Sequence, residues 1–178
     1  MTDRLTTERL ILRRWTDDDR EPFADLNADA EVMRYFPNTL TKVESDALVD
    51  RIEQGFATNG FGLWAVEVDS RFAGFTGLNR TSFSTPMGPH VEIGWRLAKW
   101  AWGHGYATEA AGRVLTAAFE NFGMTEVFSF TTETNTKSEA VMQRINMSRR
   151  VDLDFDHPNT LGWWGARHIV YRASVKGI

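Results

Sequence analysis

The sequence predicts an α/β (α+β) layer fold built on a mixed β-sheet, and three observations carry that expectation. Val91, Ile93, Trp95 and Leu97 alternate with Glu92, Gly94 and Arg96, the period of two of a strand. A little further on, Ala107, Ala110, Ala111, Val114, Leu115, Ala118, Phe119 and Phe122 follow the helical period of 3.6. Upstream, residues 61–68 and 72–78 are two apolar, β-prone runs around Asp69-Ser70-Arg71, which reads as a hairpin. Hairpins mixed with strand–helix–strand units imply helices layered on a sheet that holds both strand directions.

The remaining elements follow in order. Leu10-Ile11-Leu12, ahead of Arg13 and Arg14, is a short first strand. Residues 16–26 read as a helix with Asp17, Asp18 and Asp19 in its first turn, where the helix dipole favours anions. Residues 29–36 are expected to form a second short helix, stopped by Pro37. Thr41-Lys42-Val43-Glu44 is a capping box. It opens a helix with Leu48, Ile52, Gly55 and Phe56 on one face and an end near Asn59-Gly60. Residues 81–89 form a Ser/Thr/Pro/Gly loop. Gly123 caps the long helix from Ala107. Residues 127–132 read as a strand, 136–145 as a short helix, and 152–155 and 168–174 as strands.

Composition limits the functions to consider. The 178 residues are 42% hydrophobic and 25% charged, the profile of one globular domain spanning 1–178. A net charge of −4 argues against a nucleic-acid partner, which leaves a basic footprint. There is no cysteine, which removes disulfides, zinc thiolates and a cysteine nucleophile. The charged N-terminus is no signal peptide, and no apolar run is long enough to span a membrane, so the expected location is cytoplasmic. The 4 His show no metal-ligand spacing, and no metal is expected.

The residues between the strand and the long helix point to chemistry. In Trp102-Gly103-His104-Gly105-Tyr106-Ala107, two glycines allow a tight turn and close backbone approach. The helix start that follows offers free N–H groups and a favourable dipole to an anion, and Ala107, Ala110 and Ala111 let it press close to the sheet. A diphosphate suits this site. G-x-x-x-x-G-K-[ST] is absent, and Thr108 stands where a dinucleotide fingerprint has Gly or Ala, so neither ATP nor NAD is favoured.

The turn resembles the signature of the GNAT superfamily of N-acetyltransferases, Q/R-x-x-G-x-G/A, with Gly105 and Ala107 at its last two fixed positions and Trp102 in place of Gln or Arg. The string from Trp102 to Ala110 is similar to the RimJ/RimL-like ribosomal-protein N-terminal acetyltransferase branch, where a Trp-Gly start is common. Asn135-Thr-Lys-Ser138 resembles that branch's N-x-x-S, and Asn146 stands at a position usually held by Gly. The stretches from Thr7 to Arg13 and from His168 to Arg172 resemble its first strand and its ending.

The resemblance implies a mostly antiparallel twisted sheet of about seven strands with about four to five helices, splayed between its fourth and fifth strands around acetyl-CoA. The backbone of Trp95, Arg96 and Leu97 would pair with the pantetheine arm. The amides around Gly103, His104, Gly105, Tyr106, Ala107 and Thr108, following Trp102, would bind the pyrophosphate. Asn135 and Ser138 would hold the CoA arm. An amine, either a protein N-terminus or a small molecule, would attack the thioester directly through a tetrahedral intermediate. Many relatives protonate the thiolate with a Tyr seven residues after the Asn, where Met142 stands here. Ser138 is the alternative acid, its other reading being a helix-start residue that satisfies a backbone N–H. Glu92 is the candidate base, its other reading being a salt-bridged or solvated strand residue, with His157, Asp152, Asp154 and Asp156 as rivals. Specificity would lie in residues 16–59, 81–89 and 157–165, whose acids and whose Trp163 and Trp164 suit a cationic acceptor. A homodimer is allowed, and a CoA-binding module without catalysis is the competing reading.

Overall fold

A computed structural model of the chain describes residues 2–175, so Met1 and residues 176–178 of the expected 1–178 domain lie outside it. Its centre is a hairpin of β3 (Leu63–Val68) and β4 (Arg71–Arg80), joined by Asp69 and Ser70 at φ 49° and 63°. Two successive residues with positive φ match the right-handed twist of the strands they join, and Asp tolerates that geometry. β1 (Arg4–Thr6) and β2 (Ile11–Arg13) extend the sheet on the β3 side, and β5 (Val91–Leu97) pairs with β4. Beyond β5 come β6 (Glu126–Thr132), β9 (Arg167–Ser174) and the two-residue β7 (Ser148–Arg149), while β8 (Phe155–Asp156) also pairs with β9. All neighbours run antiparallel except β5 and β6. The mixed, mostly antiparallel sheet expected from the sequence is therefore present, with nine strands among the described residues rather than about seven, two of them only two residues long.

Among the described residues, four helices flank it. α3 (Tyr106–Glu120) buries Ala110, Ala111, Val114, Leu115, Ala117 and Ala118, and its small side chains let it lie close over Ile93 and Leu97 of β5. α2 (Lys42–Asn59) opens with Thr41 accepting from the Glu44 N–H while the Glu44 carboxylate accepts from the Thr41 N–H, and it ends at Gly60 in the left-handed region. α1 (Arg20–Ala28) packs on α2 after a short 3-10 turn at Asp17–Asp19. α4 (Thr136–Arg144) follows β6.

Two expected elements are absent. Residues 29–36 form turns instead of a helix: Asp29 Oδ1 accepts from the Glu31 N–H at 2.8 Å and the Asp29 carbonyl from the Met33 N–H at 2.9 Å, as at a helix start, but the Phe36 N–H turns back to the Met33 carbonyl just ahead of Pro37 and the helix does not propagate. The strand expected at 152–155 is a 3-10 turn, Val151–Leu153, with only Phe155–Asp156 extended. There the Asp154 carboxylate accepts the Val170 N–H at 3.1 Å, taking a donor that a neighbouring strand would need. β1 and β7 were not anticipated, each being too short to display a period.

Candidate active site

β5 and β6 are paired at Glu92 and Phe128 alone, and then they part. The opening continues into a cavity of about 1430 Å³ bounded by β5, the glycine turn, the ends of β6 and α4, and three loops. Beyond the pairing point, Ser129 Oγ on β6 donates to the Ile93 carbonyl at 2.9 Å, and Trp102 Nε1 donates to the Leu97 carbonyl at 2.8 Å. Both carbonyls thus point to the open edge, while the neighbouring Ala98 N–H points to Ala73 on the β4 side. By strand alternation Trp95 turns its N–H and C=O to the open edge between them, whereas Arg96 turns its backbone to β4 and its side chain to the face away from α3.

At one end of the opening lies the glycine turn. Gly103 and Gly105 have φ of 80° and 81°, and Gly105 is the N-cap of α3 with no side-chain cap. The amides of Tyr106, Ala107 and Thr108 in the first turn therefore have no intrahelical acceptor. Arg9 holds the turn from outside. Its Nη1 donates to the His104 carbonyl at 3.0 Å, its Nε donates to Glu109 at 2.7 Å, and its guanidinium lies 4.8 Å from the Tyr106 ring centre. Thr7 donates to the same Glu109 carboxylate, and these bonds hold it below the usual carboxylate range despite partial burial. Across the opening, Lys137 Nζ sits 4.5 Å over the Trp102 ring. Free amides with Arg9 and Lys137 alongside suit a pyrophosphate. Arg9 and Lys137 were not among the sequence candidates.

Asn135 caps α4. Its Oδ1 accepts from the Ser138 N–H, and its Nδ2 donates to Thr131 Oγ1 at 2.9 Å and to Ser138 Oγ at 3.0 Å. The cap is thus Asn135 and not Ser138, whose hydroxyl hydrogen remains available on the cavity wall. Met142 is buried in the core and offers no proton.

Glu92 lies where the strands part and lines the cavity. Among the described residues its carboxyl has no hydrogen-bond or ionic partner, and desolvation pushes it up to about 8. Its rivals separate clearly. Asp152, Asp154 and Asp156 pair with Arg150, Arg149 and Arg167 outside the cavity. His157 does line it, 5.1 Å from His168 between ring centres, and desolvation lowers both imidazoles below the usual histidine value.

The three expected specificity segments converge on the same space, contributing Tyr35 and Phe36, Phe83, and His157 and Trp163. Tyr35 meets Trp164 edge to face with ring centres 6.4 Å apart, and Trp164 itself does not line the cavity. Most acids of residues 16–59 do not face it: Asp19, Asp46, Asp50 and Glu53 pair with Arg13, Lys42, Arg20 and Arg14, and Glu31, which does line the cavity, pairs with Lys99.

A sheet that opens between two parallel strands, with an uncapped helix start at one end, defines a cleft protein for an extended, phosphate-bearing ligand. A family model, the acetyltransferase (GNAT) domain, matches residues 9–148, and the chain belongs to that family of acetyl-CoA-dependent enzymes. It is 34% identical over 148 residues to the FsC-acetyl coenzyme A-N(2)-transacetylase of Aspergillus fumigatus. That match takes in 78% of this chain and 62% of the relative, so the chain spans less than two thirds of the relative's length. An acetyltransferase from Agrobacterium tumefaciens shares the fold at a TM-score of 0.79 and 24% identity, covering 97% of this chain and 95% of that one. RimL, a ribosomal L7/L12 alpha-N-protein acetyltransferase in complex with coenzyme A, shares it at 0.77 and 14% identity, covering 98% of each chain. No helix among the described residues is long and apolar enough to cross a membrane.

Proposed function

We propose that the chain transfers an acetyl group from acetyl-CoA to a primary amine, a small molecule or a protein N-terminus, as a cytoplasmic enzyme of the RimJ/RimL-like branch. The branch assignment rests on the Trp102-Gly103 start and on Asn135 to Ser138. The observation that carries the activity is Glu92, a half-buried carboxyl with no partner among the described residues, set where the strands part. A group that titrates near 8 takes a proton from an ammonium far better than an ordinary carboxylate does.

The residues divide the work. The amides from Gly105 to Thr108, after Trp102, Gly103 and His104, cradle the pyrophosphate, with Lys137 supplying charge and Arg9, paired with Glu109, holding the turn. Trp95, between the committed carbonyls of Ile93 and Leu97, receives the pantetheine amides along the open edge. Glu92 removes the proton from the incoming amine, and an edge N–H of β5 faces the developing oxyanion. Ser138 returns a proton to the departing sulfur, its orientation fixed by Asn135.

Thiol release from acetyl-CoA over a panel of amines, with peptide N-termini included, tests the reading. Turnover with at least one amine is expected. Tight CoA binding with no turnover on any amine would leave only a CoA-binding module.

A further inference from the structure

Arg96 projects into the cavity from the face of β5 that also carries Glu92. Its guanidinium lies 4.2 Å from the centre of the Phe36 ring and 5.4 Å from that of Phe75. Nη1 donates to Asn27 Oδ1 at 2.5 Å, and the buried Asn27 donates in turn to Ser45 Oγ. Nε is buried and has no hydrogen-bond partner among the described residues. Among the described residues no carboxylate pairs with this guanidinium, although Arg9, Arg13, Arg14, Arg20, Arg149 and Arg150 each face one.

A half-buried guanidinium whose Nε is sealed from water carries a desolvation cost, and pairing with an anion offsets that cost. Desolvation draws the group down to about 10, so Arg96 stays positive through the neutral range. Its surroundings supply no anion. Glu31 is held by Lys99 at 2.6 Å, Arg34 adds a second positive charge to the wall, and Glu92 is largely protonated below about 8. The acceptor end of the cavity is therefore short of negative charge, and a guanidinium's planar fork is shaped to take a carboxylate.

We propose that the acceptor is an amine that also carries a carboxylate, and that Arg96 binds the carboxylate while the amine reaches Glu92. The proposal rests on the acetyltransferase reading above. Glu92 and Arg96 lie four residues apart, about 13 Å along a strand, and the long Arg96 side chain can close part of that span. The ligand is thus of amino-acid or short amino-carboxylate size, or an acidic residue beside a peptide N-terminus.

Matched acceptors test it: L-phenylalanine against 2-phenylethylamine, 5-aminopentanoate against pentylamine, and a peptide opening serine–glutamate against one opening serine–glutamine. The carboxylate-bearing member of at least one pair should have a kcat/KM about tenfold higher or more, carried by KM, as a hydrogen-bonded charge pair supplies. The pair that responds identifies the source of the carboxylate. In Arg96→Gln, which keeps an amide donor for Asn27, the within-pair ratio should fall towards one, and Arg96→Lys should keep part of it. Equal rates within every pair for the wild type, or a preference that survives in Arg96→Gln, would overturn the proposal. The wild-type ratios decide by themselves if the variant folds poorly. If no amine releases thiol, the acetyltransferase reading fails separately. Calorimetric binding of the same pairs to CoA-loaded wild type and Arg96→Gln then decides about Arg96, and equal affinities within each pair would count against it.

Discussion

At the residue scale, Glu92 on β5 and Ser138 at the start of α4 line the same opening, one without a partner and the other with its hydroxyl hydrogen uncommitted. A base works in its ionised form, and burial has moved Glu92 up to about 8. The kcat/KM of the wild type should therefore rise with pH through about 8. Glu92→Gln should lose about 10²-fold in rate and lose that limb of the profile. A profile in the variant that still rises through 8 would mean that the limb does not belong to Glu92, and a limb below 6.5 would point to His157 as the base. Ser138→Ala leaves Asn135 capping α4 and bonded to Thr131, so acetyl-CoA affinity should change little while kcat falls about tenfold or more. An unchanged kcat would remove Ser138 as the acid.

At the element scale, what was legible in the sequence is what one element states by itself. The Thr41 cap, the Asp69-Ser70 turn, the periods of β5 and α3 and the glycine pair each show within a few residues. Residues 152–155 misled because a carboxylate, not the backbone, takes the N–H that a neighbouring strand would use, and residues 29–36 because a capped helix start is stopped after one turn ahead of Pro37. Arg9 and Arg96 could not be assigned from spacing, since Arg9 meets His104 at a separation of 95 residues and Arg96 meets Asn27 at 69. The glycine turn can be tested as an element. A methyl group on Gly105 would find Arg9 Nη2 at 3.6 Å, an ordinary contact, so space is not the obstacle. The positive φ is, and Gly105→Ala should cost roughly 1 kcal/mol of stability, measured by denaturant titration. The distorted amides should also weaken acetyl-CoA binding in calorimetry. Unaltered affinity would mean that the turn does not cradle the phosphates.

At the scale of the molecule, both faces of the sheet are packed and the opening is local. α3 seals one face with alanines, α1 sets Phe23 against Phe75 on the other, and β5 and β6 part at a cavity holding an unpaired Glu92. Stability should carry the mark of that arrangement. Asp19, Asp154 and Glu109 are held low by Arg13, Arg149 and by Thr7 with Arg9, so each stabilises the fold above its unfolded value and loses that contribution as pH falls through its folded one. Glu92 acts in the opposite direction. Between 4.5 and about 8 the unfolded chain has released this proton and the folded chain retains it, so stability falls as pH rises across that window. His157 and His168, held below 6.5, oppose it by favouring the fold as pH rises towards 6.5. Glu92→Gln isolates the carboxyl from the pairs and the imidazoles, which the two proteins share. Relative to the wild type, the variant should gain on the order of 3 kcal/mol between pH 5 and pH 8.5, read as a pH-dependent separation of two urea denaturation curves. Curves that keep a constant separation over that range would show that Glu92 ionises in the folded protein at its ordinary value, and with it would go the physical basis for its role as the base.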